Sequence, residues 1–105
     1  VASKRGPGRS QRRAAEALLA THFAERGYIR YPNPLRLREG SQIYRKGSEV
    51  RLVVDTREEL DEVREALRLV GFRPARPFLK GSSHVQPVYG ASAVEWFLDV
   101  IYRLT

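Results

Sequence analysis

Arginine and tyrosine are interleaved through the middle of this 105-residue chain. Arg30, Arg36, Arg38 and Arg51 fall in runs that read as β-strands, with Tyr28, Tyr31 and Tyr44 among them and with Arg45 and Lys46 at a turn. A guanidinium pairs with phosphate oxygens or guanine edges, and a tyrosine ring stacks on an unpaired base. His84 and Gln86, separated by Val85, share one face of the last strand by period-two alternation and are grouped with this set. These residue types at this spacing point to contact with a polyanion. The competing explanation is a solvated face whose charge is balanced by the acids of another element.

The charge distribution sharpens the first reading. The formal net charge is +7, which favours nucleic acid or an acidic surface as partner. Lys4, Arg5, Arg9, Arg12 and Arg13 supply five cations before the first acid. Segment 26–51 carries seven bases against Glu39 and Glu49, whereas Asp55, Glu58, Glu59, Asp61, Glu62 and Glu65 crowd into segment 55–70. One element is acidic and another surface is basic.

Catalytic chemistry finds little support. There are no cysteines, so disulfides and thiolate metal sites are excluded, and two histidines are too few for a metal site built from histidine alone. Gly6-Pro-Gly8 has no strand before it and is not a phosphate loop. Neither a Ser/His/Asp cluster nor paired carboxylates outside the acidic segment stand out, and His22 is assigned no role. No cofactor is expected. No apolar run is long enough to span a bilayer and no signal peptide is visible, so the expected location is cytoplasmic, with no membrane partner.

The elements that must hold these residues follow from pattern. Residues 1–10, without apolar periodicity and with a Gly-Pro-Gly run, read as a flexible basic arm. Residues 11–105 read as one domain. Ser10 is a candidate N-cap for a helix from Gln11 to Arg26, with Ala15, Leu18, Leu19 and Phe23 as its apolar stripe and Ala17, Ala20, Thr21 and Ala24 as a strip of small residues. Gly27 is expected at the helix stop with positive φ, and Tyr28, Ile29 and Tyr31 open a strand at once. Glu49–Val54 is the clearest strand, placing Val50, Leu52 and Val54 on one face and Glu49, Arg51 and Val53 on the other. Pro32-Asn-Pro34 breaks the first strand before Leu35–Arg38. Thr56-Arg-Glu-Glu59 reads as a capping box for a second helix with core stripe Leu60, Val63, Leu67 and Val70, stopped at Gly71. Phe72–Lys80 is extended and proline-broken, which suits a sheet edge, and His84–Tyr89 is the final strand. Ser92-Ala-Val-Glu95 is read as the cap of a third helix, with Val94, Phe97, Leu98 and Ile101 facing the core. The fold class is therefore α+β, ordered αββαββα. A mostly antiparallel sheet would carry helices on one face and leave a basic face open.

That order resembles one repeat of the LAGLIDADG homing-endonuclease family, over roughly residues 11–104. Leu19-Ala20 stand at the start of the family's motif and Gly27-Tyr28-Ile29 at its end, with Phe23 on an apolar motif position and Thr21 in place of the first glycine. The family's metal-binding acid directly precedes the final glycine. Here that residue is Arg26, and Glu25 lies one position early, about 100° around the helix. A cation there opposes two-metal phosphodiester chemistry. The resemblance thus implies an inactive, maturase-like or regulatory relative that binds nucleic acid with its open sheet face. RNA or structured nucleic acid is favoured over DNA. It also implies a homodimer through the first helix, since one repeat is half a binding saddle. The alternatives are a protein–protein adaptor or ribonucleoprotein subunit whose basic face docks an acidic partner and, further off, an active nuclease using Glu25.

Overall fold

The computed structural model describes residues 8–31 and 47–104. Their elements run α1 (Arg9–Arg26), β1 (Gly27–Arg30), β2 (Glu49–Val54), α2 (Arg57–Leu69), β3 (Phe78–Lys80), β4 (Ser83–Tyr89) and α3 (Ala91–Leu104). This is the expected αββαββα order. The four strands form one antiparallel sheet in the order β1-β2-β4-β3, with the proline-broken segment ending in an edge strand. The expected strand at Leu35–Arg38, the break at Pro32–Pro34 and most of the arm lie outside the described residues. None of the helices among the described residues is long and apolar enough to cross a membrane.

Alternation on β2 decides the layers. Val50, Leu52 and Val54 are fully buried and pair with Val88, Gln86 and His84 of β4. All three helices lie against that side. Their buried stripes are Ala15, Leu19 and Phe23 on α1, Leu60, Val63, Ala66 and Leu67 on α2, and Ala93, Val94, Phe97 and Val100 on α3. Phe97 is the hub, with ring centroids of Phe23, Trp96 and Phe72 at 5.3, 4.9 and 6.3 Å. Burying such a side chain stabilises the fold by about 1.5–3 kcal/mol. On α3 the buried position falls to Val100 rather than Leu98, which is half-exposed.

The helix termini depart from expectation in instructive ways. Gly27 does not have positive φ; it is extended (φ −100°, ψ 161°), and its N–H donates to the Phe23 carbonyl. Space, not handedness, demands glycine. A Cβ there would lie 2.5 Å from Phe23 Cδ1, 2.6 Å from its Cα and 2.9 Å from its carbonyl oxygen. The left-handed stop belongs to Gly71 (φ +98°). There the Phe72 N–H donates to the Leu67 carbonyl and the Gly71 N–H to that of Arg68, at 2.8 and 3.0 Å, the Schellman pattern. At its start α1 is longer than expected. Gly8 is its N-cap, the Gly8 N–H is held by Gln11 Oε1 at 3.0 Å, and Arg9 and Ser10 are helical. Thr56 caps α2 as expected, its hydroxyl accepting the Glu59 N–H at 3.1 Å. The α3 helix instead starts directly after Gly90, whose carbonyl accepts the Val94 N–H, so Ser92 is inside the helix.

Gln86 corrects a sequence expectation. Because it pairs with Leu52, it faces the helices and is fully buried; it does not join an open basic face. Its Nε2 donates to the carbonyls of Ala75 and Pro87 at 2.7 and 2.8 Å. Its Oε1 accepts from Arg64 Nη1 at 2.7 Å, and the same nitrogen reaches the Ala75 carbonyl at 2.9 Å. One amide thus ties α2, the segment before β3, and β4. Period-two alternation sorts a strand's residues into two sets but does not say which set is inside.

Two stability outcomes follow. Gly27→Ala should lower unfolding stability by about 1–3 kcal/mol through overpacking against backbone atoms. This exceeds the roughly 0.4–1 kcal/mol that the stiffer unfolded chain returns, so the urea midpoint should fall with an unchanged slope. Gln86→Ala should cost about 2–4 kcal/mol by the same measurement, because it takes the Gln86 donor from the Pro87 carbonyl, removes one of the two acceptors of Arg64 Nη1 and empties a fully buried position.

Candidate functional site

The face of the sheet turned away from the helices follows from the strand register. Tyr28 and Arg30 project there from β1, Glu49, Arg51 and Val53 from β2, Phe78 and Lys80 from β3, and Val85, Pro87 and Tyr89 from β4. Arg51 is its centre. The guanidinium carbon stands 5.1 Å from the centroid of the Phe78 ring, within cation–π range. Nη1 donates to the Tyr28 hydroxyl at 3.4 Å and Nη2 to Glu49 Oε1 at 3.3 Å. The same carboxylate oxygen lies 3.6 Å from Arg30 Nη1. The Lys80 ammonium sits 5.7 Å from the centroid of the Tyr28 ring. Three cations and three aromatic rings, those of Tyr28, Phe78 and Tyr89, therefore share a face with one carboxylate.

Burial divides these groups into holders and presenters. The Arg51 and Glu49 side chains are only 16% and 11% exposed, whereas that of Arg30 is 50% exposed. Burial works against the charge on Arg51, but the Tyr28 hydroxyl and Glu49 more than offset it, and the guanidinium stays ionised. Hydrogen bonding from Arg51 in turn holds the Tyr28 phenol below its ordinary pKa; burial opposes this, and Lys80 adds to it. Arg51 Nε and Glu49 Oε2 are buried with no hydrogen-bond partner. A buried ion pair with donor and acceptor capacity left over is costly unless something uses it.

The other candidates divide four ways. Tyr31, just past β1, is exposed. Arg9, Arg12 and Arg13 are exposed on the first turns of α1, which belongs to the helix layer on the other side of the sheet, so they do not converge with Arg30, Arg51 and Lys80. His84 pairs with Val54 and faces the helices, lining a cavity beside α2; like Gln86 it is not on the open face. Lys4, Arg5, Arg36, Arg38, Tyr44, Arg45 and Lys46 lie outside the described residues. Phe78 and Lys80 were not among the expected site residues. Their i, i+2 spacing in Phe78-Leu79-Lys80 was the available signal, obscured by the prolines before it. Glu49 was counted as a minority acid and is the counter-ion of both arginines.

At the α1–β1 junction Arg26 has a structural partner. Its Nη1 lies 2.6 Å from Asp55 Oδ2, and Asp55 also accepts a hydrogen bond from the Ser83 hydroxyl at 3.3 Å. Hydrogen bonding from Arg26 holds the Asp55 carboxyl below its usual range, against a small desolvation penalty. Glu25 is exposed, and among the described residues no three histidine or carboxylate side chains cluster as metal ligands do. Comparison of the chain with protein-family models, curated proteins and solved structures finds no match.

A titration checks the Arg51 cluster. Since folding lowers the Tyr28 pKa, the phenolate stabilises the fold. That contribution is complete above the unfolded value of about 10 and is lost as pH falls through the folded value. Followed by ultraviolet phenolate absorbance, Tyr28→Phe should remove a transition that begins below the ordinary tyrosine range.

Proposed function

We propose that this chain binds RNA, or structured nucleic acid with unpaired bases, on its open sheet face and does not cut it. The observation that carries the reading is the Tyr28–Arg51–Phe78 cluster, flanked by Arg30 and Lys80 on the sheet face turned away from the described helices. Arg30 and Lys80 are placed to neutralise phosphates. The Phe78 and Tyr28 rings offer stacking surfaces, each worth about 1–3 kcal/mol per base. Arg51, fixed by Glu49, supplies donors between them.

The element order and the glycine junction at the end of α1 support a degenerate repeat of the LAGLIDADG type as the source of this architecture. The pairing of Arg26 with Asp55 supports a structural role at the position where that family needs an acid. Ala17, Thr21 and Ala24 remain exposed on α1, leaving a surface on which a second copy would complete the binding saddle.

Fluorescence anisotropy with a labelled single-stranded RNA tests the reading. Affinity should fall steeply with salt, and Arg30→Gln or Lys80→Gln should each reduce the salt slope by about one counterion. Phe78→Ala should weaken binding at all salt concentrations. Absence of affinity at low salt for RNA and DNA alike would overturn it, and retained capture of an acidic protein by the same face would then favour the adaptor.

A further inference from the structure

A second cationic site lies on the helix side of the same edge strand. Between the flank of α2 and the β3–β4 hairpin is a cavity of about 450 Å³, lined by Arg57, Leu60, Arg64, Phe78, Leu79 and His84 among others. Its two walls come from regular structure. Arg57, Leu60, Asp61 and Arg64 occupy i, i+3, i+4 and i+7 of α2 and so form one stripe, while Leu79 and His84 are a cross-strand pair on the helix-facing side. Yet Leu79 is 67% exposed. By register it is on the helix-facing side, yet most of its surface reaches solvent.

We infer that this cavity takes the terminal nucleotide, phosphate included, of the strand bound on the open face; the inference rests on the nucleic-acid reading above. Three observations carry it. First, Arg64 is pre-organised: Gln86 Oε1 and the Ala75 carbonyl fix its Nη1 at 2.7 and 2.9 Å, so a phosphate meeting this guanidinium does not have to order it. Second, the walls combine cations with planar and apolar surface. Arg57 and Arg64 suit a phosphate monoester. The His84 imidazole and the side chains of Leu60, Leu79 and Pro77 suit a base, and the volume is in the range of small-ligand sites. Third, Phe78 is common to both sites. It lines the cavity, and its ring lies under Arg51 on the open face. A strand crossing the β3 edge between Phe78 and Lys80 would therefore pass directly from one site into the other. Asp61 opposes an anion here. However, it lies 3.6 Å from Arg57, and both side chains are largely exposed, so a phosphate need only displace a weak surface pair.

The test uses the full chain and follows backbone amide resonances during titration with adenosine 5′-monophosphate, adenosine and inorganic phosphate. Short RNAs with and without a terminal phosphate are titrated in parallel. Adenosine 5′-monophosphate should shift resonances around Arg57, Leu79 and His84, with adenosine and phosphate alone each about tenfold weaker or more. The terminal phosphate should tighten RNA binding by a similar factor. Arg57→Gln should abolish that difference while leaving the salt-dependent binding of unphosphorylated RNA unchanged, and Leu79→Trp, which fills the cavity from an exposed position, should abolish both that difference and the mononucleotide shifts. RNA binding that ignores the terminal phosphate, without mononucleotide shifts at the cavity, would overturn the inference and leave the open-face reading intact. Mononucleotide binding without RNA affinity would overturn both the open-face reading and the link to a strand's end.

Discussion

The contact on which the rest depends is the approach of β1 to the last turn of α1 at Gly27. The backbone leaves the helix so close to Phe23 that no side chain fits. Phe23 meanwhile packs on Phe97 at the centre of the core, so the strand's starting point is tied to the core itself. From there Gly27 pairs with Leu52, and alternation sends Ile29 inward and Tyr28 and Arg30 outward. A slip of one residue would bury the arginine and expose the isoleucine. The composition of the open face is thus set by a packing constraint on its far side.

The two polar clusters are organised differently. Gln86 is fully buried, and the groups around it are short-bonded and mutually satisfied, which makes them part of the framework. Around Arg51 the distances are longer, 3.3 and 3.4 Å, and two polar atoms are left over. Satisfied networks rigidify, whereas an incompletely used one retains capacity to rearrange around a ligand. Arg64 belongs to the first kind at one nitrogen and also borders a cavity, so a core hydrogen bond orients a side chain at the surface.

Much of the architecture was legible because local signals agreed. The alternation of Glu49–Val54, the Thr56 cap and the apolar stripes of α1 and α2 each specify their element without help from the rest of the chain. What was not legible needed a partner strand. The β4 residues include apolar side chains on both faces, Val85 and Val88, so nothing local told Gln86 and His84 which way to point. Phe78 and Lys80 joined the site only because β3 pairs with β4. The excess of bases in segment 26–51 was visible. That Glu49 lies between Arg30 and Arg51 was not, because ion pairing across neighbouring strands depends on register rather than on counts. Gly27 was recognised as necessary for the wrong reason, since a sequence shows that glycine is present but not whether φ or crowding requires it.

Pro87 sits in β4, an inner strand, opposite Arg51. The Gly90 N–H bond to Ser48 fixes the ladder's alternation, so the nitrogen of Pro87 points away from β2, toward the side where β3 pairs. Continuing the β3 register would bring Arg76 opposite Pro87, which has no hydrogen to donate, and Pro77 and Pro74 precede the strand itself. The outer ladder is thereby held to three residues. A longer, flatter edge carrying Phe78 and Leu79 would be a template for sheet-to-sheet growth between molecules. The prolines therefore let the chain keep an apolar edge next to its cationic surfaces with little risk of aggregation.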